Sequence, residues 1–242
     1  QRLLADDAEE AIELAVDTAQ ADGVAAFYHR AGVPALRQAS DDHEQLATAE
    51  HRLRVMAGMD EVIDELREQF PGAATPGRPQ VVCIGARWEV DTLAARMLVH
   101  ALEHAGHRAE HRAAGIGHAE SFAALDLRGA RFVCLSFFSA TPQTHARLLC
   151  RRLRRRWPDL HIVLALWNVP PDWLERADAA GLGADALVTS VDEAVMHIGR
   201  QLGVEPAAGP RSAPLPEGDV ERVRALQASG VRVRILTNSL AA

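Results

Sequence analysis

Residues 81–91, "VVCIGARWEVD", decide the fold of this chain, because an apolar run passes through a tight turn into an acidic helix start. A short, wholly apolar strand followed by a helix is typical of a parallel sheet that is buried on both faces. We predict strands at 81–84, 108–113, 132–136, 162–166 and 186–188, and helices at 91–105, 141–156, 171–180 and 191–202. The alternation predicts an α/β fold with a five-stranded parallel, flavodoxin-like sheet of order 2-1-3-4-5.

The regions that flank this segment have different patterns. Residues 1–70 carry apolar residues three and four apart, which predicts a helical subdomain, and Pro34 is placed to open a helix. The stretch "PGAATPGRPQ" at 71–80 and the Pro-rich stretch at 204–218 are predicted to be linkers. The expected organisation is a helical cap subdomain at 1–70, an α/β domain at 81–203 and a helix-strand tail at 219–242.

Composition limits the classes of function. The 242 residues carry a net charge of −7 and no Lys, so a broad basic face for nucleic acid is not expected. The three cysteines lack CxxC spacing and indicate free thiols in a reducing compartment. No apolar run reaches the roughly 20 residues of a membrane span. We therefore expect a soluble, cytoplasmic polypeptide that binds no nucleic acid.

The loops at the carboxyl ends of parallel strands, next to the switch in strand order, are the usual ligand site of such a sheet. An indole there can stack on a planar ligand while a guanidinium and hydroxyls hold an anionic group. The other interpretation is that Trp88 and Trp167 fill the pocket and pack on one another. The candidate ligand-binding residues are Arg87, Trp88, Asp91, Ser136, Ser139, Thr141, Trp167 and Asn168.

A group of histidines in and after the first α/β helix is a candidate metal site. Its members are His100, His104, His107, His111 and His118. His100 and His104 are one helical turn apart, so both imidazoles can reach one zinc or iron ion. A glycine separates them from the others, and no Asp or Cys completes the set at a diagnostic spacing. We therefore expect solvated surface histidines and no metal.

Arginines crowd the end of the predicted helix 141–156. Cations near a helix C-terminus are stabilised by the helix dipole by about 0.3–1 kcal/mol each, so a solvated helix end explains them. The alternative is a surface for anionic lipid headgroups or an acidic partner, to which each Arg contributes about 1 kcal/mol. The arginines concerned are Arg151, Arg152, Arg154, Arg155 and Arg156.

Motifs of nucleophilic or phosphate-transfer chemistry do not occur in the sequence. There is no G-x-S-x-G turn, no Walker-type loop and no G-x-G-x-x-G after a strand. Adjacent carboxylates such as Asp41 and Asp42 do not face one another on a helix. We therefore expect that the protein is not an enzyme.

The stretch "FVCLSFFSAT" at 132–141, the order of elements and the helical segment in front, with "LATAEH" at 46–51, resemble the cobalamin-binding fold family. That family implies a cobalt-binding His in an Asp-x-His-x-x-Gly turn after strand one, and a Gly-Gly pair after strand four. The matching positions hold Ala86, Trp88 and Asp91, and then Leu166 and Trp167. The resemblance therefore implies a degenerate cobalamin-binding-like domain.

Two further resemblances are carried by stretches near the beginning and at the end of the given sequence. "LLADDAEEAIELA" at 3–15 and "AAFYHRAGVPALRQASDD" at 25–42 resemble the cytosolic extension of long permeases of the autoinducer-2 export family. This resemblance covers most of 1–203 and implies a membrane portion of the same protein as partner. "SGVRVRILTNSLAA" at 229–242 resembles a strand of the phospholipase D family, whose chemistry needs a His-x-Lys motif that a chain without Lys cannot supply.

The expected function is a non-catalytic cytosolic sensory or regulatory domain of a permease, without a cofactor. It would bind a small ligand or a partner at the carboxyl ends of the strands. The alternative is a soluble regulator that binds cobalamin or a tetrapyrrole such as haem, with His43 or His51 of the cap as an axial ligand. A third class, a purely structural module, predicts a homo-oligomer without ligand.

Overall fold

The computed structural model describes residues 8–41, 49–73, 76–112 and 119–203. All neighbouring strands of its one sheet are parallel, in the order β2-β1-β3-β4-β5. This is the flavodoxin-like order, so the predicted fold class is confirmed. The strands are β1 (Val81–Gly85), β2 (Ala109–Arg112), β3 (Phe132–Phe137), β4 (His161–Leu166) and β5 (Ala186–Val188). The predicted linker at 204–218 and tail at 219–242 lie outside the described residues.

Within the described residues, four helices and a π-helical turn precede the sheet in the chain and form the cap, and further helices cover the two faces of the sheet. The cap consists of α1 (Ala8–Asp22), α2 (Val24–Phe27), a π-helical turn (Tyr28–Gly32), α3 (Val33–Asp41) and α4 (Ala49–Gln69). Around the sheet lie α5 (Glu89–His104), α6 (Ala119–Ala124), α7 (Gln143–Arg156), α8 (Pro171–Arg176), α9 (Ala179–Leu182) and α10 (Val191–Leu202). The structure adds α6, which the sequence pattern did not predict.

The single helix predicted at 171–180 is two helices. Ala177 has an extended backbone that ends α8, and the Asp178 side chain accepts hydrogen bonds from the backbone N–H groups of Ala180 and Gly181. This is a side-chain N-cap, which satisfies amides that a helix start leaves without partners. A new helix therefore begins at Ala179.

The cap and the sheet share one hydrophobic core. Tyr28, Leu36 and Ile63 of the cap pack in the same cluster as Met97 of α5 and Trp167 at the end of β4. Because α5 lies between the cap and the sheet, it is buried on two sides rather than one. A separate cluster fills the other face of the sheet, under α6, α7 and α9. The cap is therefore seated on one face of the sheet.

Candidate functional site

The turn between β1 and α5 brings the strand and the helix into close approach. A Cβ atom added at Gly85 would lie 2.6 Å from the backbone nitrogen of Thr92. Glycine is therefore required here, because any side chain would push the helix start away from the strand. The close approach places the first residues of α5 directly over the carboxyl end of β1.

Asp91 ties this turn to the loop after β3. One carboxylate oxygen accepts hydrogen bonds from the backbone N–H groups of Arg87 (3.0 Å) and Trp88 (2.8 Å). The other accepts from the N–H of Phe138 at 2.7 Å. Burial raises the pKa of Asp91 from 3.8 to about 6, against the opposing effect of these amides. Asp91 was predicted to contact a ligand, but both of its oxygens are engaged and it is 1% exposed; it positions the two loops.

The two indoles of the predicted pocket have opposite environments. Trp88 is 50% exposed, and the Arg87 guanidinium carbon lies 4.2 Å from the centre of its ring. Trp167 is 0% exposed and belongs to the core between the sheet and the cap. The interpretation that both indoles fill the pocket and pack on one another is therefore wrong. Trp88 starts α5 at the surface, whereas Trp167 is on the cap-facing side of β4.

Two buried polar atoms at this end of the sheet have no hydrogen-bond partner among the described residues. They are Ser136 Oγ at the end of β3 and Trp167 Nε1 after β4. The neighbours of Ser136 in β3, Leu135 and Phe137, belong to the core on the other face of the sheet, so Ser136 is on the cap-facing side, as Trp167 is. Leaving such atoms unpaired costs about 1–3 kcal/mol each. Their shared position indicates a site for a polar group.

A cleft of about 480 Å³ opens at the same end of the sheet, between α3 and the loops after β3 and β4. We call it the cap-sheet cleft. Its lining combines one cation and two small polar groups with apolar side chains: Arg37, Ser40, Phe138, Ala140, Asn168, Val169, Pro170 and Pro171. Arg37 donates from Nε (2.9 Å) and Nη2 (2.5 Å) to the carbonyl oxygen of Trp167. The guanidinium thus joins the cap to the sheet at the mouth of the cleft.

The structure brings some predicted site residues together and separates others. Asn168 lines the cap-sheet cleft, whereas Ser136 and Trp167 are fully buried and are not among its lining residues. Ser139 accepts a hydrogen bond from the N–H of Thr141 within its own loop. Arg37 and Ser40 were not predicted, because they lie about a hundred residues earlier and only packing of the cap brings them here. The Pro34 helix start was the one available signal that this helix existed.

The expectation of surface histidines is wrong for His100 and His107, which are buried. His100 Nδ1 accepts a hydrogen bond from the Tyr28 hydroxyl at 2.8 Å, and its Nε2 donates to the carbonyl of Phe70 at 2.7 Å. Burial lowers the pKa of His100 to about 4, which keeps the ring neutral. For His100 the reason for the error is that the cap covers α5. His118 lies outside the described residues.

The described residues do not fit the cobalamin that the family resemblance implies. Trp88, at the position of the cobalt-binding His, is an exposed indole, and Leu166 and Trp167 are buried where the family has Gly-Gly. His100 and His104 both contact the Phe70 carbonyl, at the end of α5 away from the cleft. Within the described ranges, no group of three or more His, Cys, Asp or Glu side chains could hold a metal ion. His43 and the side chain of His51 lie outside those ranges.

The arginines at the end of α7 are engaged in contacts within the protein. Arg154 pairs with Asp185 at 2.7 Å and donates to backbone carbonyls beyond the helix. Arg156 donates to two carbonyls of α6, and the Arg152 guanidinium carbon lies 4.1 Å from the centre of the Phe122 ring. Arg151 and Arg155 are exposed. The guanidiniums of Arg152, Arg154 and Arg156 therefore hold α7 to its neighbours.

Fold and site together define an α/β domain of flavodoxin-like topology with a helical cap over one face and a cleft at the carboxyl edge. No family model matches the sequence, and no curated protein is significantly similar to it. A solved structure of a cobalamin-binding protein from Desulfitobacterium hafniense DCB-2 is similar, with 14% sequence identity and a TM-score of 0.41. The alignment covers 83% of this chain and 95% of that one. No helix among the described residues is long and apolar enough to cross a bilayer.

Proposed function

We propose that this chain is a non-catalytic sensory or regulatory domain whose cap-sheet cleft binds a small organic ligand. The observation that carries the proposal is the pair of buried, unpartnered polar atoms at the same end of the sheet as the cleft, Ser136 Oγ and Trp167 Nε1. Unsatisfied buried polar groups are rare in native proteins and require a specific explanation. A ligand oxygen that accepts from both groups would supply the missing hydrogen bonds.

Binding and cap movement are linked in this proposal. Trp167 is 0% exposed, so a ligand reaches its indole N–H only after α3 shifts away from the end of β4. Arg37 holds α3 there through the Trp167 carbonyl. An anionic group on the ligand competes with that carbonyl for the guanidinium, because a full negative charge attracts the cation more strongly than the dipole of a neutral carbonyl does. Occupancy is thereby converted into a displacement of the cap.

The state of Asp91 and of the three cysteines supports a non-catalytic role. Both oxygens of Asp91 accept backbone hydrogen bonds. All three cysteines are buried, and burial raises the pKa of Cys150 to about 12 and that of Cys83 well above its ordinary value. Thiols in this state are inert, because the thiolate is the nucleophile.

The wider proposal is that the domain is the cytosolic extension of a permease of the autoinducer-2 export family. Its support is the sequence resemblance of 3–15 and 25–42. Within the second stretch lies Arg37, the residue that joins the cap to the cleft. The cap would therefore connect the cleft to a membrane portion of the same protein. In the full-length permease, we expect Arg37→Gln to alter transport and Arg30→Gln to leave it unchanged.

A visible absorption spectrum separates this proposal from the alternative regulator that binds cobalamin or haem. The protein is measured as purified and after incubation with hydroxocobalamin and with haem, and native mass spectrometry reports any bound mass. We expect no retained chromophore, because none of the residues that line the cleft carries an imidazole. A retained chromophore would support the alternative and direct attention to His43 and His51 of the cap.

The decisive test of the cleft uses Ser136→Ala and an anionic aromatic probe, 1-anilinonaphthalene-8-sulfonate. If Ser136 Oγ serves a ligand, its removal stabilises the free protein by about 1 kcal/mol and weakens probe binding. The control is Ser190→Ala, which removes the side-chain cap of α10. It should destabilise by about 1 kcal/mol and leave probe binding unchanged. A Ser136→Ala variant that is less stable, or that binds the probe as the wild type does, contradicts the proposal.

A further inference from the structure

We propose that a second cleft, at the amino ends of β3 and β4, binds a phosphate group. This basic cleft has a volume of about 580 Å³ and lies between the loop that leads into β3 and the loop that joins α7 to β4. It is at the edge of the sheet opposite the cap-sheet cleft, so the two sites are separate. Arg128, Arg131 and Arg156 face it from its two walls.

The cations of the basic cleft are only partly compensated. Arg128 is paired with Asp126 at 2.7 Å. Neither Arg131 nor Arg156 has a carboxylate partner within the described part of the chain. Among the lining residues, Asp159 supplies the only carboxylate. A local excess of positive charge in a chain whose net charge is −7 indicates a site that favours an anion.

Arg156 is fixed in position before any ligand binds. Its Nη1 donates to the carbonyl of Phe122 at 2.8 Å and its Nη2 to the carbonyl of Ala123 at 3.1 Å. Its guanidinium carbon also lies 4.6 Å from the centre of the Trp157 ring. Two of its five N–H groups are used, which leaves three for a ligand. A held guanidinium loses little side-chain entropy on binding and offers the planar fork that matches phosphate oxygens.

Arg131 supplies the movable side of the site. Its side chain is exposed, and within the described residues its guanidinium makes no hydrogen bond or ion pair. The Phe132 ring centre lies 6.0 Å from the guanidinium carbon. It is therefore free to close on a ligand from the wall opposite Arg156. The two arginines together supply the paired donors by which phosphate oxygens are recognised.

The negative end of the α7 dipole opposes an anion here, and the structure reduces that effect. Arg154 Nη1 donates to the carbonyls of Pro158 (3.0 Å) and Leu160 (2.8 Å), beyond the helix C-terminus. These two carbonyls belong to residues that line the cleft, so their engagement reduces the negative potential that a phosphate meets there, while the charge of Arg154 itself is paired with Asp185.

Titration with pyrophosphate tests the basic cleft. The full 242-residue chain is titrated calorimetrically at pH 7 in about 0.15 M salt, where non-specific charge effects are screened. We expect saturable 1:1 binding that Arg131→Gln weakens about tenfold or more, as the loss of a charge-assisted pair implies. The matched control, Arg151→Gln, removes the same charge from an exposed position on α7 outside the cleft and should change affinity by less than about twofold. Circular dichroism confirms that both variants are folded.

Absence of saturable binding, or an equal loss in the two variants, overturns the proposal. Cosedimentation with vesicles then identifies the source of the phosphate. Binding to phosphatidic acid vesicles, but not to phosphatidylcholine vesicles, that pyrophosphate displaces and Arg131→Gln weakens assigns the site to a lipid headgroup. Pyrophosphate binding without vesicle binding assigns it to a soluble phosphate ester.

Discussion

Replacing Asp91 by Asn tests the electrostatics of the candidate site. The carboxylate is buried and accepts three backbone hydrogen bonds that join the loops after β1 and β3. Burial disfavours the ionised form, whereas the amides favour it. The pKa of about 6 means that burial outweighs the amides. Asn keeps the shape of the side chain and removes the titration.

The magnitude follows from linkage between protonation and folding. A pKa raised from 3.8 to about 6 corresponds to about 3 kcal/mol, at about 1.4 kcal/mol for each unit. Between these two values the native state binds more protons than the unfolded state. The contribution of Asp91 to stability is therefore fully present below about pH 4 and is lost as the pH rises through about 6. The wild type should lose about 2–2.5 kcal/mol relative to Asp91→Asn between about pH 4 and 7, which is most of the roughly 3 kcal/mol of the whole titration.

Urea unfolding of both proteins at several pH values between 4 and 7 measures this difference. The titration of all other groups cancels when the two free energies of unfolding are subtracted, and the cost of the substitution that does not depend on pH remains as a constant offset. A wild-type advantage that grows with rising pH would refute the reasoning, because it would show that the three amides depress the pKa of Asp91. A carboxyl NMR titration gives the midpoint independently.

Three further substitutions test the packing around the site by urea unfolding. Gly85→Ala places a methyl group 2.6 Å from the α5 backbone and should destabilise by about 1–3 kcal/mol; an unchanged stability would contradict the close approach. Tyr28→Phe leaves the buried Nδ1 of His100 without its donor, so we expect a loss of about 1–3 kcal/mol, and a neutral effect would mean that this hydrogen bond is not made. Ile63→Ala in the cap should cost about 2–5 kcal/mol in one transition shared by cap and sheet, with Leu53→Ala, 60% exposed, as the control; separate transitions would show that the core is not shared.

Strand positions and their order were predictable because they depend on local patterns and on general rules of connection. The apolar run at 81–84 lacks polar alternation, as a strand buried on both faces requires. A parallel sheet built from such strands obeys handedness rules that leave few topologies. The break at Ala177 was less visible, because it depends on how Asp178 bonds to the amides that follow it. The helix α6 is too short for its apolar residues to show a helical repeat.

The candidate site was predictable only in part. The proposed cleft lies at the carboxyl ends of β3 and β4, within the predicted region, and Asn168 is the one predicted residue that lines it. Asp91 was predicted to contact a ligand because a carboxylate that follows a strand often does. The backbone amides that bond to it come from two different loops, and the sequence does not show that these loops meet. The contact of Arg37 with the Trp167 carbonyl could not be predicted. The sequence around an exposed arginine on a cap helix is the same wherever the cap packs against the sheet.

The sequence by itself determined the five parallel strands, their order and the helical nature of the first seventy residues, because periodicity and chain connection are properties of neighbouring residues. Only the tertiary structure decided that α5 is covered on both sides, which buries His100 against Tyr28 and makes an apparently solvated imidazole part of the core. It also decided that Arg37 meets the carbonyl of Trp167. Burial and long-range hydrogen bonds depend on which surfaces meet in space, and no local pattern contains that information.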